Sequence, residues 1–186
     1  MKKQSRRSRR GFSLLEITLA LVLLGIMLAV ALPLLARYQR YAQLDMTARV
    51  LIANIYKARQ LAVMQNARYR IYFDVMGHAY HYKVDYNNNR RLEATEQAAR
   101  FFYLPLEIRF DCSGVKGPPS DPRKPPSSPV TFTHGLMSVG PEGRWSNPGT
   151  IYLGNAVEDR MAITVNIAGT VRLWEWDRDA GRWRHI

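Results

Sequence analysis

Gly11-Phe12-Ser13-Leu14-Leu15-Glu16-Ile17-Thr18-Leu19 opens the longest apolar run in the chain and decides how the rest is read. From Phe12 to Ala36 the run is 25 residues long, and Glu16 is its only charged residue. As a helix it would extend about 37 Å, enough to cross a hydrocarbon core of roughly 30 Å. Immediately before it lie Lys2, Lys3, Arg6, Arg7, Arg9 and Arg10, with no acid among them. A cationic flank ahead of an apolar span keeps the N-terminus in the cytoplasm and sends the C-terminal remainder across the membrane.

Three readings compete for this segment. A secretory signal would use Ala29-Val30-Ala31 as an A-x-A-like cleavage site, and Ser8-Arg9-Arg10-Gly11-Phe12 is similar to the start of a twin-arginine signal. Its apolar run is too long for an ordinary signal, however, and Glu16 interrupts the beginning. A plain transmembrane anchor leaves Glu16 unexplained, because a carboxylate in a bilayer costs about 2–3 kcal/mol or more and calls for a partner. The third reading accounts for the most residues. The run from Gly11 to Leu19 resembles the cleavage and methylation site of type IV prepilins, G-F-[ST]-L-[ILV]-E. The resemblance implies cleavage after Gly11 by prepilin peptidase and N-methylation of the new terminus at Phe12. It makes Glu16 the fifth residue of the mature chain, where the family carries its glutamate. Pro33 also falls where many pilins have a proline; a kink or local melting is expected there, or merely the bend where the helix leaves the membrane.

The helical pattern continues past the apolar run. Leu44, Ala48, Leu51, Ile55, Ala58 and Ala62 recur at spacings of four and three, with Arg37, Arg40, Arg49, Lys57 and Arg59 among the polar positions. One helix from Phe12 to about Asn66 is expected, its second half burying one stripe against a sheet. The period then changes to two: Tyr69, Ile71, Phe73 and Val75 alternate with Arg68, Arg70, Tyr72 and Asp74. Gly77 marks a turn into a second alternation through Tyr80, Tyr82, Val84 and Tyr86. Phe101 to Phe110 is apolar but interrupted by Pro105, which implies a sheet edge or a break. Residues 113–129 hold six prolines and read as an irregular loop. Further strands are expected at Val130–Thr133, Thr150–Leu153, Met161–Ile167 and Val171–Trp176.

The fold class is therefore α+β, a long N-terminal helix packed on antiparallel strands. Its expected organisation is a basic leader at 1–11, a membrane-spanning or filament-core helix at 12–36, an amphipathic continuation at 37–66 and a β-rich domain at 67–186. Phe132-Thr133-His134-Gly135, Gly149-Thr150-Ile151-Tyr152-Leu153 and Ile163–Ile167 leading into Gly169-Thr170-Val171-Arg172 resemble the GspH/FimT group of minor pseudopilins and minor pilins. Thr170 stands where that group's G-R-V-R turn has arginine. The resemblance implies a single-pass protein of the bacterial inner membrane, with its globular domain in the periplasm. It also implies assembly with other pseudopilins or pilins, either in the pseudopilus of type II secretion or in a type IV pilus.

Charge and chemistry add less. The chain carries +12, but setting aside the six N-terminal cations leaves 21 basic and 15 acidic residues, a mildly basic domain. Cys112 stands alone, so no intrachain disulfide forms. His78, His81, His134 and His185 are scattered, and the chain holds no H-E-x-x-H, G-x-S-x-G or P-loop motif. Neither a catalytic site nor a cofactor is expected. Asp85, Asn87, Asn89, Glu93 and Glu96 have the oxygen spacing of a calcium loop, but Arg90 replaces its glycine and Arg91 adds repulsion; an Asn-rich hairpin turn is the simpler reading, and no metal is assigned. Gly181-Arg182-Trp183-Arg184 is similar to a G-R-x-R motif through which some FimT-like pilins bind DNA. Arg182 and Arg184 would meet phosphates while Trp183 stacks on a base. The competing reading is a terminal hairpin, in which Trp183 pairs across strands with the tryptophans before Asp177-Arg178-Asp179-Ala180-Gly181.

Overall fold

The computed structural model describes residues 14–86, 98–117 and 126–186. Helix α1 runs from Leu14 to Met64. Nine strands follow among the described residues: β1 Arg68–Asp74, β2 Ala79–Asp85, β3 Ala98–Tyr103, β4 Ile108–Phe110, β5 Leu136–Val139, β6 Gly149–Asn155, β7 Arg160–Val165, β8 Val171–Asp177 and β9 Arg182–His185. The chain divides into two units, residues 1–39 and 40–186, and the second contains every strand of the described residues.

α1 stays helical on both sides of Pro33, so the local melting expected there does not occur. It ends two residues before the expected limit. Asn66 adopts a left-handed conformation (φ 47°) and the Ala67 N–H donates to the Ala62 carbonyl at 3.1 Å, which closes the last turn as a Schellman-type cap. Asparagine tolerates that conformation better than a branched residue would.

In the second unit the stripe read from the sequence is the buried one. Leu44, Ala48, Leu51, Ile55, Ala58 and Ala62 are all at most 1% exposed. The three alanines let the helix backbone approach the strands closely, and each fully buried Leu or Ile contributes about 1.5–3 kcal/mol. Two polar ties fix the register of helix on β2. Asn54 Nδ2 donates to the Tyr80 hydroxyl at 2.7 Å, and the Tyr82 hydroxyl donates to the Asn54 carbonyl at 2.8 Å.

The expected antiparallel layer is split into two sheets. One has the order β3-β2-β1-β5 and the other β4-β6-β7-β8-β9, all antiparallel. Pro105 lies between them, after β3 at one edge of the first sheet and before β4 at one edge of the second. It lacks the N–H that a continuing ladder would need, and the chain changes sheets there. Inward residues of both sheets share one core with the helix stripe, among them Ile71, Met137, Ile151, Ile163 and Leu173. Phe73 of β1 stacks on Phe132 and meets Phe110 of β4 edge-on, both at 6.0 Å between ring centroids, joining the sheets through aromatic contacts.

One local expectation is corrected. Val130–Thr133 is not a strand: it makes a single bridge, Val130 to Ile151, and then turns through a 3-10 segment at Thr133–Gly135. His134 and Gly135 both take positive φ there, and the extended run cannot continue. The strand lies just beyond, at β5, which pairs with β1 from Tyr69–Val139 to Tyr72–Leu136.

Gly149 explains a sequence pattern that the strand reading did not. A Cβ on Gly149 would stand 2.5–2.7 Å from ring atoms of Phe132, a buried member of the core. Gly149→Ala is expected to lower stability by about 1–3 kcal/mol through overpacking. An unchanged denaturant midpoint would show that the ring has room to move.

Candidate assembly and anchoring site

Every residue from Leu14 to Arg40 is exposed. Leu14, Leu15, Leu21, Leu34 and Met27 each leave 61–81% of their surface uncovered. This segment is long and apolar enough to cross a membrane, and none of its most hydrophobic window is buried by the chain itself. An uncovered apolar surface of this extent needs lipid or other protein to cover it. Within it Glu16 lies on the first turn of α1 and makes no hydrogen bond or ion pair among the described residues. Thr18, by contrast, returns its hydroxyl proton to the Leu15 carbonyl at 2.9 Å and is satisfied locally. From Leu14 to Ala36 the carboxylate is the one charged group of an otherwise apolar surface, open to an external cation. Gly11 and Phe12 lie outside the described residues.

The tail motif sits on β9, where each residue is differently engaged. Trp183 is the cross-strand partner of Trp176, their rings 5.2 Å apart, and its Nε1–H donates to the Gly117 carbonyl at 2.9 Å. Its other ring contact is Tyr152, at 5.7 Å. Arg184 forms an ion pair of 2.6 Å with Glu175. Of these three motif side chains, only Arg182 is exposed without such a partner among the described residues. These contacts compete with stacking of Trp183 on a base, and the Glu175 pair competes with a phosphate for Arg184. Arg182→Ala with Arg184→Ala is expected to change retention of the full chain on DNA by less than about twofold at fixed salt. A loss of salt-sensitive binding in a gel-shift titration would restore the motif.

The Arg184–Glu175 pair extends to the helix through Tyr41. Burial, then a hydrogen bond to Glu175, push the Tyr41 hydroxyl up to about 12. Arg40 reaches Glu107 at 3.6 Å in the same region, and the Arg40 carbonyl accepts from Asn155 Nδ2 at 3.5 Å. Arg40 and Tyr41 are each more than sixty residues in the chain from their partners Glu107, Asn155 and Glu175, and no local pattern foretells these contacts.

Asp85 cannot serve as the first ligand of a calcium loop. It is completely buried and pairs with Arg70 at 3.0 Å, a contact that runs diagonally between β1 and β2. Asn87, Asn89, Arg90, Arg91, Glu93 and Glu96 lie outside the described residues. Among the described residues no group of His, Cys, Asp and Glu is placed to hold a metal. The histidines do not converge either: His78 is in the β1–β2 turn, whereas His81 stacks on Tyr72 (5.2 Å) and lies tilted against Phe101 (4.7 Å), where burial and then Lys83 lower its pKa. Cys112 is half-buried, and burial raises its thiol above the ordinary value.

Comparisons with known proteins agree with the anchoring reading. Residues 6–32 match the family described as the prokaryotic N-terminal methylation motif. The pilin-like protein PilA1 of Thermus thermophilus is 36% identical over 142 residues, covering 72% of this chain and 89% of that protein. Two solved structures of EpsH, the minor pseudopilin of the Vibrio cholerae type II secretion system, align with TM-scores of 0.47 and 0.48 at 13% and 12% identity. They cover 70% and 71% of this chain and 95% of each EpsH chain. The methylation motif heads the exposed apolar helix, and the likeness to PilA1 spans most of both proteins: the chain belongs to the type IV pilin-like proteins.

Proposed function

We propose that this chain is a minor pseudopilin of a type II secretion system. Prepilin peptidase cleaves it between Gly11 and Phe12, the Phe12 amine is methylated, and the subunit joins the tip of the pseudopilus. It waits in the inner membrane as a single-pass protein, N-terminus cytoplasmic and β-rich domain periplasmic. The observation that carries the reading is the uncovered apolar helix with a lone carboxylate at Glu16. In the bilayer that carboxylate is uncompensated; in a filament it meets the Phe12 ammonium of a neighbour, and the burial cost falls on both sides. The role is structural, with no catalytic residues. The contact of Phe132 with Gly149 gives the GspH/FimT-like sequence pattern a packing role.

A second reading is favoured by the pilin-like relative from Thermus: a minor pilin of a type IV pilus, acting in pilus assembly or DNA uptake. A clean deletion, scored for secreted proteins in the medium and for surface pili, separates the two. Lost secretion with normal pili supports the pseudopilus. Intact secretion with few pili or impaired DNA uptake transfers the chain to the pilus.

A further inference from the structure

The outer face of the second sheet carries a cleft. Thr150, Thr164 and Arg172 are cross-strand partners in one row through β6, β7 and β8. Trp174, two residues on from Arg172, lies on the same face. The cleft holds about 460 Å³ and is completed by Thr131, Pro148, Asn166 and Thr170. That volume falls within the roughly 300–1,000 Å³ of ordinary ligand sites.

The chemistry of the lining is specific. No carboxylate lines the cleft, and Arg172 is its single cation among the described residues. Arg172 is exposed and enters no ion pair among the described residues. The Trp174 Nε1–H donates to Thr164 Oγ1 at 2.9 Å, which fixes the indole and leaves the Thr164 hydroxyl proton to donate outward. Asn166 Oδ1 accepts from the Thr170 N–H at 2.8 Å, holding the rim and leaving the Asn166 amide group to donate. Thr131 is committed internally, its hydroxyl oxygen accepting from the Thr150 N–H at 2.8 Å.

We infer that this cleft binds an acidic saccharide. One guanidinium forms a bidentate pair with one carboxylate. Hydroxyl and amide groups answer ring hydroxyls, and the part of the half-buried Trp174 indole left uncovered by the Val115, Tyr152 and Ala162 cluster and by the His185 ring, 5.2 Å away, offers apolar surface to the C–H face of a pyranose. A polyanion such as nucleic acid would require several cations along its track, and the lining supplies one.

The test is calorimetric titration of the full chain in detergent micelles with cellobiouronic acid, its neutral counterpart cellobiose, and acetate. The acidic disaccharide is expected to bind with a Kd of about 1 mM or tighter, with cellobiose at least about tenfold weaker and acetate weaker still. Arg172→Gln, at an exposed position, removes the preference for the acid without changing cellobiose binding, and Arg172→Lys restores part of it. Equal binding of the two sugars, acetate binding as tightly as the acidic sugar, no heat from any probe to about 10 mM, or an unchanged preference in Arg172→Gln would each overturn the assignment.

Discussion

Glu16→Ala is expected to leave the subunit in the membrane and out of the filament. The single carboxylate of an exposed apolar helix costs about 2–3 kcal/mol or more in hydrocarbon. Under the proposed mechanism, assembly relieves that cost by pairing it with the Phe12 amine of the next subunit. Alanine removes the penalty and with it the reason to assemble, so the free subunit becomes more comfortable in the bilayer. A relief of that size corresponds to a fall in incorporation on the order of thirtyfold or more. Immunoblots of sheared filaments against the membrane fraction give the readout, with cleavage after Gly11 followed in parallel by mass. Glu16→Gln keeps the hydrogen-bonding shape without the charge and is expected to behave like alanine. Normal incorporation of either variant would dismiss the pairing.

The largest loss of stability is expected from Asp85→Ala. Its carboxylate is fully buried against Arg70, whose side chain is only 8% exposed. Removing it strands a guanidinium inside the protein, and breaking a buried pair in this way costs about 3–5 kcal/mol. A domain of this kind has about 5–15 kcal/mol of stability in all, so the variant sits near the margin. Arg70→Met combined with Asp85→Leu removes both charges and is expected to recover most of the loss. Denaturant titration of the three proteins decides it: a double variant no better than Asp85→Ala would mean that the pair itself, and not the stranded charge, holds the sheet.

Asp85 also shows where the sequence misleads. Oxygen-bearing residues at regular spacing look like a cation loop, but the arginine that occupies Asp85 comes from the neighbouring strand, two positions off the direct pair. No local window contains that information. The helix stripe from Leu44 to Ala62 is fully legible, because a 3.6-residue period survives any tertiary arrangement that buries one face. The alternation of β1 and β2 is legible except at Arg70 and Asp85, which are buried on the polar face, and at Tyr86, which is exposed beyond β2. Val130–Thr133 invites a strand reading because a β-branched and aromatic run matches strand propensity, whereas the positive φ at His134 and Gly135 forces a turn. The four residues of β5 are too few to display a period, and their pairing with β1 is set some seventy residues away in the chain. The division into two sheets is marked only by Pro105.

At the anchoring end, the apolar run and Glu16 can be read directly, since composition alone sets membrane compatibility. The cleft around Arg172 cannot. Its walls come from four separate stretches that approach one another only after β6, β7 and β8 have paired.

The order of the strands sets a timetable for synthesis. The helix stripe leaves the ribosome before Ile151, Ile163 and Leu173, which share its core and belong to the later strands β6, β7 and β8. At about 5–20 residues per second, the chain beyond α1 takes on the order of ten seconds to appear. Throughout that interval Leu44, Leu51 and Ile55 have no complete surface to close upon. A nascent chain stalled before β8 would present them to whatever hydrophobic surface lies nearby, and any holding factor would have to release the chain only once its last hairpin had emerged.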